Sequence, residues 1–382
     1  MDLLRKIYRR LPGPVRGLWL RVQSGYFLLS QFISETRCDA WILSGTERHG
    51  GEPLVIGFCG KESTKHYLAK KMFAGAWREE SLGRTWLRSA FAAALRSSKT
   101  AALFVSEIPR TQQRIFRPPA STILPGWTRM DVSLADDAVL WSTQKFRNTR
   151  SLVGRFGLTC EATVSGDAFD DFYLDVYLPY IAARHEGAAL RYPHPSARKD
   201  FLENARELLV VKRGDDRLGG VVLGYAGGQA RFWQMGLNAA IGTELMNIAS
   251  DALYYFMFAH VRAKGLPDLH MGYSRAFLSD GVMEYKRRWG AKLVDECRPG
   301  ERWALRIIRE TAALKSFLRH NPFVAVDRSG RLRLHGFVET LEDASAAGAI
   351  AAWKQRCGYP GGIDLNVYEL SPRIRLREGI PG

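Results

Sequence analysis

Cysteine is scarce and scattered. The 382-residue chain holds five, Cys38, Cys59, Cys160, Cys297 and Cys357. None stands in a Cys-x-x-Cys pair or at a Cys/His ligand spacing, which argues against a zinc site. An odd, dispersed set points to free thiols in a reducing cytosol rather than to a disulfide framework. No motif marks any of the five as a nucleophile. Near the N-terminus no apolar run is long enough to span a bilayer. The patch Tyr26-Phe-Leu-Leu is too short and lacks the layout of a signal peptide. Gly57-Phe-Cys-Gly-Lys-Glu-Ser-Thr contains a Gly-Lys but not the spacing of a phosphate-binding loop, so nucleotide hydrolysis is rejected. Acidic residues are also short: 39 against 55 basic ones, a net charge of +16. That surplus favours anionic partners such as nucleic acid, phosphorylated sugars or an acidic membrane surface, and says nothing about fold. The remaining composition is ordinary for a soluble protein, and the length suffices for two or three domains with proper cores.

Residues 1–39 form a basic segment. Six of the first 21 residues are basic and one is acidic. Leu3, Leu4, Ile7 and Leu11 fall at helical spacing with Arg5, Lys6, Arg9 and Arg10 between them. Such a segment, with Trp19 nearby, can lie on an anionic membrane surface. It can equally pack on its own domain with its charges solvated, and Pro12-Gly-Pro limits the first helix.

Residues 40–140 read as a small α/β unit. Pro53-Leu-Val-Ile-Gly-Phe and Ala101-Ala-Leu-Phe-Val are strand candidates, and a helix begins near Trp86. The stretch from Phe116 to Gly126, rich in proline, reads as a loop. Residues 141–309 are richer in pattern. Lys145, Arg147, Arg150 and Arg155 lie in a stretch without acid, either a phosphate-holding stripe or a solvated basic face. Phe169, Phe172, Tyr173, Val176, Tyr177 and Tyr180 follow at helical spacing, a pattern of core more than of a stacking platform. Three strands then alternate with glycine turns at Gly214 and Gly227. A helix from about Glu244 to Lys264 follows, with Leu245, Ile248, Ala249, Ala252, Leu253 and Phe256 on one face, ended by Gly265.

The stretch Leu269 to Gly290 is the most informative. It reads as a short strand, a polar loop and a helix from about Gly281 to Trp289, capped by Ser279 or Asp280. Val282, Met283, Lys286 and Trp289 then share a face, so Lys286 sits in an apolar stripe, while Arg287 and Arg288 point elsewhere. An inward lysine can stabilise developing negative charge, or it can bury its stem and snorkel to water. Asp280 is either a helix cap or a proton acceptor, and His185 is a possible base or a histidine with a bland role.

The run Met271-Gly-Tyr-Ser-Arg followed by Asp280-Gly-Val-Met-Glu-Tyr-Lys-Arg-Arg-Trp-Gly resembles the end of the acyltransfer domain in the FemAB-like branch of the GNAT superfamily, most clearly over residues 145–298. The resemblance implies an α+β GNAT (acyl-CoA N-acyltransferase) fold: a degraded first copy over 40–140 and a complete second copy over 141–309. It also implies an acyltransferase enzyme that joins an activated acyl or aminoacyl group to an amine. Lys286 aligns with the motif lysine. Catalytic candidates are Lys286, Asp280 and His185. Substrate-binding candidates are Ser274, Arg275, Tyr285, Arg287, Trp289, Lys145 and Arg147.

Acyl-CoA or aminoacyl-tRNA would be the co-substrate, with no metal. The loop before the long helix, Leu237 to Leu245, keeps only Gly242, with Asn238 nearby, as candidate cofactor-binding positions. The expected partners are an amine-bearing anionic substrate from the cell envelope or a small molecule, tRNA, and an anionic membrane surface met by the N-terminus. The expected location is cytoplasmic or peripheral on the inner face of the membrane. The alternatives are a tRNA-dependent aminoacyl transferase of peptide or natural-product synthesis and a non-catalytic GNAT-like scaffold. An enzyme should leave Lys286 in an open pocket, and a scaffold can leave it plugged. Residues 310–382 form a small α/β extension, with strands near Arg331 and Asp364 and a helix carrying Ile350 and Trp353.

Overall fold

The computed structural model describes residues 37–96, 101–108, 121–135, 143–185, 193–297, 301–327, 329–342, 344–356 and 363–380. The basic segment over residues 1–36 therefore lies outside the described residues. In chain order the elements are β1 (Arg37–Thr46), β2 (Pro53–Cys59), α1 (Glu62–Met72), β3 (Arg78–Trp86), α2 (Leu87–Arg96), β4 (Leu103–Ile108), β5 (Thr122–Pro125), β6 (Thr128–Ser133), α3 (Gln144–Arg155) and β7 (Leu158–Thr163). Next come α4 (Gly166–Asp171), a π-helical turn (Phe172–Tyr177), α5 (Leu178–His185), α6 (His194–Glu203), β8 (Glu207–Arg213), β9 (Asp216–Ala226), β10 (Gln229–Leu237), α7 (Thr243–Ala263), β11 (Asp268–Ser274), α8 (Gly281–Arg288) and β12 (Lys292–Cys297). The chain closes with β13 (Arg302–Ile307), α9 (Ala312–His320), β14 (Phe323–Val326), β15 (Leu332–Val338), α10 (Ala344–Arg356), β16 (Asp364–Glu369) and β17 (Arg375–Ile380).

Two compact units share the chain, each assembled from separated stretches: residues 1–126, 299–320 and 372–374 in one, and 127–298, 321–371 and 375–382 in the other. The first carries the six-stranded sheet β3-β1-β2-β4-β13-β5. Residues 122–125, expected in a loop, form β5 there, because an edge place beside β13 tolerates Pro125. Cys38 and Cys59 form a disulfide in this sheet, their Cα atoms 5.9 Å apart. The expectation of free thiols fails for this pair, since the antiparallel β1–β2 register sets Ala40 opposite Cys59 and brings Cys38 within reach.

The second unit carries the seven-stranded sheet β12-β6-β11-β10-β9-β8-β7 and the four-stranded sheet β14-β15-β16-β17. The strands β8, β9 and β10 form the expected antiparallel meander, and α7 crosses over to β11, which runs parallel to β10. This mixed α+β order is the one that the GNAT-like resemblance implies. Apolar spacing fixes the inner face of α7: Ile248, Ala249, Ala252 and Leu253 are buried, as are Met257, Phe258 and Val261 further along. The aromatic stripe Phe169 to Tyr180 is buried core.

The final sheet props the loop that enters α8. Leu278 N–H donates to the Pro322 carbonyl (2.9 Å), Val324 N–H to the Ala276 carbonyl (2.8 Å), and Ser279 Oγ bonds Asn321 Oδ1 (2.8 Å). Phe277 packs on Phe323. The tail thus holds the register of the segment that carries Lys286.

Candidate active site

A cleft opens where β10 and β11 part. Their ladder joins only Ala230 to Leu269 and Arg231 to His270. Each strand then carries an irregularity. In β10 the pairing with β9 passes from Phe232–Leu223 to Gln234–Val222, leaving Trp233 as the extra residue. In β11 the pairing with β6 skips between His270 and Tyr273. Gly272, within that skip, has φ +78°, a backbone state that costs a side-chain-bearing residue strain. The resulting cavity of about 1030 Å³ is lined by β10 from Arg231 to Met235, by His270, Gly272 and Tyr273, and by the start and inner face of α8.

Lys286 reaches this cavity from α8. Asp280 caps the helix, its Oδ1 accepting from the N–H groups of Val282 (3.1 Å) and Met283 (3.2 Å). One turn on, Met283 and Lys286 face inward, and Trp289 at the end of the helix is buried too. Burying that indole stabilises the packing by about 2 to 3 kcal/mol. Val282, expected on the same face, is 52% exposed and stands at the rim of the cavity, because the stripe is narrower than the four-residue pattern.

Lys286 is 4% exposed, and its ammonium donates to the Tyr273 carbonyl at 2.8 Å. No carboxylate of the described residues lies within ion-pair distance. Desolvation therefore lowers its pKa to about 7, opposed only by the more distant charge of Asp280. Gly272 also leaves it room: a Cβ there would stand 3.6 Å from Nζ.

Behind Lys286 lies a polar network. Tyr285 donates its hydroxyl to Asp251 Oδ1 (2.9 Å) and sits 3.1 Å from Ser250 Oγ. Lys145 bonds the other oxygen of Asp251 at 2.5 Å and stands 5.2 Å over the Trp289 ring. Burial, with the Asp251 charge beside it, raises the Tyr285 pKa, so the hydroxyl keeps its proton. His270 is buried with Nδ1 accepting from Gly272 N–H (2.9 Å), which leaves the proton of the neutral ring on Nε2. Desolvation, helped by Arg129, Arg231 and Lys286, pulls its pKa down against the pull of Asp131. On the far wall the Arg206 guanidinium lies 3.7 Å over Trp233 and pairs with Asp200 at 2.5 Å.

Of the residues picked from sequence, the structure brings Lys286, Asp280 and Tyr285 to the cavity. Lys145 stands behind it through Asp251. Ser274 is buried against Met130, Arg275 stacks on Trp127 at 3.8 Å, and Trp289 packs on Tyr254, Phe146 and Phe258. Arg287 is half-buried, and none of these four lines the cavity. Arg147 is exposed and bonds Gln144. The side chain of His185 lies outside the described residues. Asn238 and Gly242 stand at the turn before α7: Asn238 Oδ1 accepts from Ala240 N–H (2.9 Å) and its amide donates to the Arg217 carbonyl (3.2 Å).

Sequence reasoning missed Arg206, Arg231, Trp233, Gln234, His270 and Asp251. Only the run of polar and aromatic residues in β10 could have flagged any of them. Cys160 stays a thiol, its pKa pushed up to about 12 by burial. Among the described residues no cluster of three His, Cys, Asp or Glu side chains could hold a metal, and no helix is long and apolar enough to cross a membrane.

No protein-family model and no characterised protein matches the sequence. Solved structures do resemble the fold. L-PGS from Bacillus licheniformis is 14% identical with a TM-score of 0.35, over 73% of this chain and 84% of that one. FemX is 13% identical with a TM-score of 0.35, over 68% and 82%. A GCN5-related N-acetyltransferase from Kribbella flavida is 13% identical with a TM-score of 0.31, over 96% and 84%. At these values the likeness carries no argument about activity, which rests on the site.

Proposed function

We propose that the chain is a GNAT-fold N-acyltransferase that moves an acyl or aminoacyl group to the amine of a cell-envelope or small-molecule acceptor. The observation that carries this reading is Lys286: a buried ammonium without a carboxylate partner, in an open cavity, fixed by one bond to the Tyr273 carbonyl. The open cavity also favours an enzyme over a scaffold. The acceptor amine attacks the donor carbonyl as a free base. A C–N bond forms while the carbonyl electrons move onto oxygen. Lys286 holds that oxyanion, an interaction that strengthens as charge develops. As the carbonyl re-forms, the C–S or C–O bond to the donor breaks and its electron pair leaves with the leaving group. A lysine titrating near 7 can hand that group a proton; the surplus proton on nitrogen passes to solvent, and Lys286 regains one from solvent before the next turnover.

In this reading the donor is acyl-CoA or aminoacyl-tRNA, no metal takes part, and the +16 charge serves an anionic donor, acceptor or membrane surface. The first unit is a diverged copy of the second. The support is that each sheet holds one parallel pair, β2 with β4 and β10 with β11, flanked on both sides by antiparallel strands. Native mass spectrometry with acyl-CoA and aminoacyl-tRNA panels, followed by a transfer assay on amine acceptors, tests the proposal. One donor should bind and give an acylated amine with wild type, and react roughly a hundredfold more slowly with Lys286→Met. Absence of both binding and transfer across the panel would return the scaffold reading.

A further inference from the structure

Arg231 and Gln234 are two neighbouring groups on the cavity wall that the protein itself leaves without partners. Among the described residues the Arg231 side chain makes no hydrogen bond and no ion pair; it is exposed and lines the cavity. Gln234 is 5% exposed, and its buried Oε1 accepts no hydrogen bond. A buried amide oxygen without a donor is costly to keep. Both residues sit on β10, three positions apart, where an unbroken strand would point them to opposite faces. The extra residue Trp233 changes that. Arg231 pairs with Gly224 and Gln234 with Val222, two positions apart on β9, so the bulge sets Arg231 and Gln234 on one face.

The acids along the rest of the wall are already engaged. Asp280 accepts from the first turn of α8, and Asp200 is paired with Arg206. Arg231 is the ladder partner of His270, which feels the charges of both Arg231 and Lys286. Arg231 and Lys286 thus give this part of the wall a positive field, with one buried acceptor oxygen beside it.

We infer that this wall is the acceptor subsite, and that the acceptor carries an anionic group together with its amine. Arg231 binds the carboxylate or phosphate, and Gln234 Oε1 accepts a hydrogen bond from the amine. The inference rests on the acyl-transfer reading for the role of the bound amine, but not for the binding itself. Trp233 and Tyr254 supply an apolar flank to the same space.

Calorimetric titration without any donor tests it. The probes are O-phosphoethanolamine and β-alanine, which join an amine to a phosphate or a carboxylate, with ethanolamine and inorganic phosphate as the separate halves. Wild type should bind at least one amine–anion probe more tightly than either half, and the better of the two tells phosphate from carboxylate. Arg231→Met should weaken that probe by roughly tenfold or more and leave ethanolamine unchanged. Gln234→Leu, which removes an unsatisfied oxygen and should fold, should weaken the amine-bearing probes and spare inorganic phosphate. Equal binding by wild type and Arg231→Met, or no binding of either amine–anion probe, overturns the inference. Arg231-dependent binding without transfer from any donor would sink the acyl-transfer reading and keep the subsite. Transfer that ignores both the anion and Arg231→Met would do the reverse.

Discussion

Each of the two units buries a lysine on a helix, and the two are resolved in opposite ways. Lys65 on α1 is 2% exposed, pairs with Glu79 at 2.5 Å and Glu62 at 3.6 Å, and stands 4.5 Å over the Trp41 ring. Its charge is met inside the unit, and no acceptor for a ligand is left over. Lys286 on α8 is almost as buried, but it meets only a backbone carbonyl and an open cavity. Burial of a lysine is therefore not the functional signal. The signal is burial without a counter-ion beside space that a substrate can fill, because that leaves the charge to be completed by the ligand or the transition state.

The comparison breaks first at Lys286→Met. Transfer should fall by roughly a hundredfold, the scale of losing one electrostatic stabiliser, while the thioether fills the stripe between Met283 and Trp289. Stability should move the other way. The folded pKa, about 7, lies below the unfolded lysine value. Between those values the unfolded chain binds more protons, so wild-type stability rises with pH across that window, and the burial penalty is fully present below about pH 7. The variant escapes the penalty. Its melting temperature should exceed wild type most clearly below pH 7, with the gap closing as pH approaches the unfolded value. A variant less stable than wild type at pH 6 would mean that the lysine is satisfied in a way the geometry does not contain. Lys286→Arg should also transfer poorly, since a planar guanidinium does not replace a compact ammonium.

The opposite pattern belongs to the first unit. Glu79→Gln leaves Lys65 buried with only Glu62 to balance it and should cost about 3 kcal/mol in denaturant unfolding, with the transfer rate per folded molecule unchanged. A comparable loss of transfer would erase the distinction between the two lysines. Gly272→Ala is expected to be smaller still. The φ of +78° makes a Cβ costly by about 1 kcal/mol, and relief of that strain shifts the strand that carries the Tyr273 carbonyl, so transfer should fall several-fold at modest cost in melting temperature. Arg288→Met should be nearly silent in both assays, because Arg288 is exposed and absent from the cavity wall. A dead Arg288→Met beside an active Lys286→Met would show that the wrong face of α8 was assigned to the substrate.

Helix-borne features were legible in the sequence because their period is local. The positions of Lys286 and Asp280 and the length of α7 all follow from spacing within twenty residues. What failed depends on distant pairing. Strand β6 is inserted between β11 and β12, and β13 between β4 and β5, partners more than a hundred residues away in each of these pairings. Strand alternation likewise cannot reveal a bulge: it would set Arg231 and Gln234 on opposite faces, and only the β9 register joins them. The basic stripe of α3 shows another limit. Sequence shows charge but not its partner, and in the structure Lys145 pairs with Asp251, more than a hundred residues away. Cys38 and Cys59 show the same limit, their spacing saying nothing until a hairpin closed it.

The titration of Lys286 itself bears most directly on the central claim, and it needs neither donor nor acceptor. In protein labelled with carbon-13 at lysine Cε, one resonance should titrate near pH 7, disappear in Lys286→Met, and move to higher pKa when O-phosphoethanolamine or inorganic phosphate is added. If every lysine of the folded protein titrates in the ordinary range, the Lys286 ammonium is not held unpaired in a desolvated cavity, and the account of the site fails.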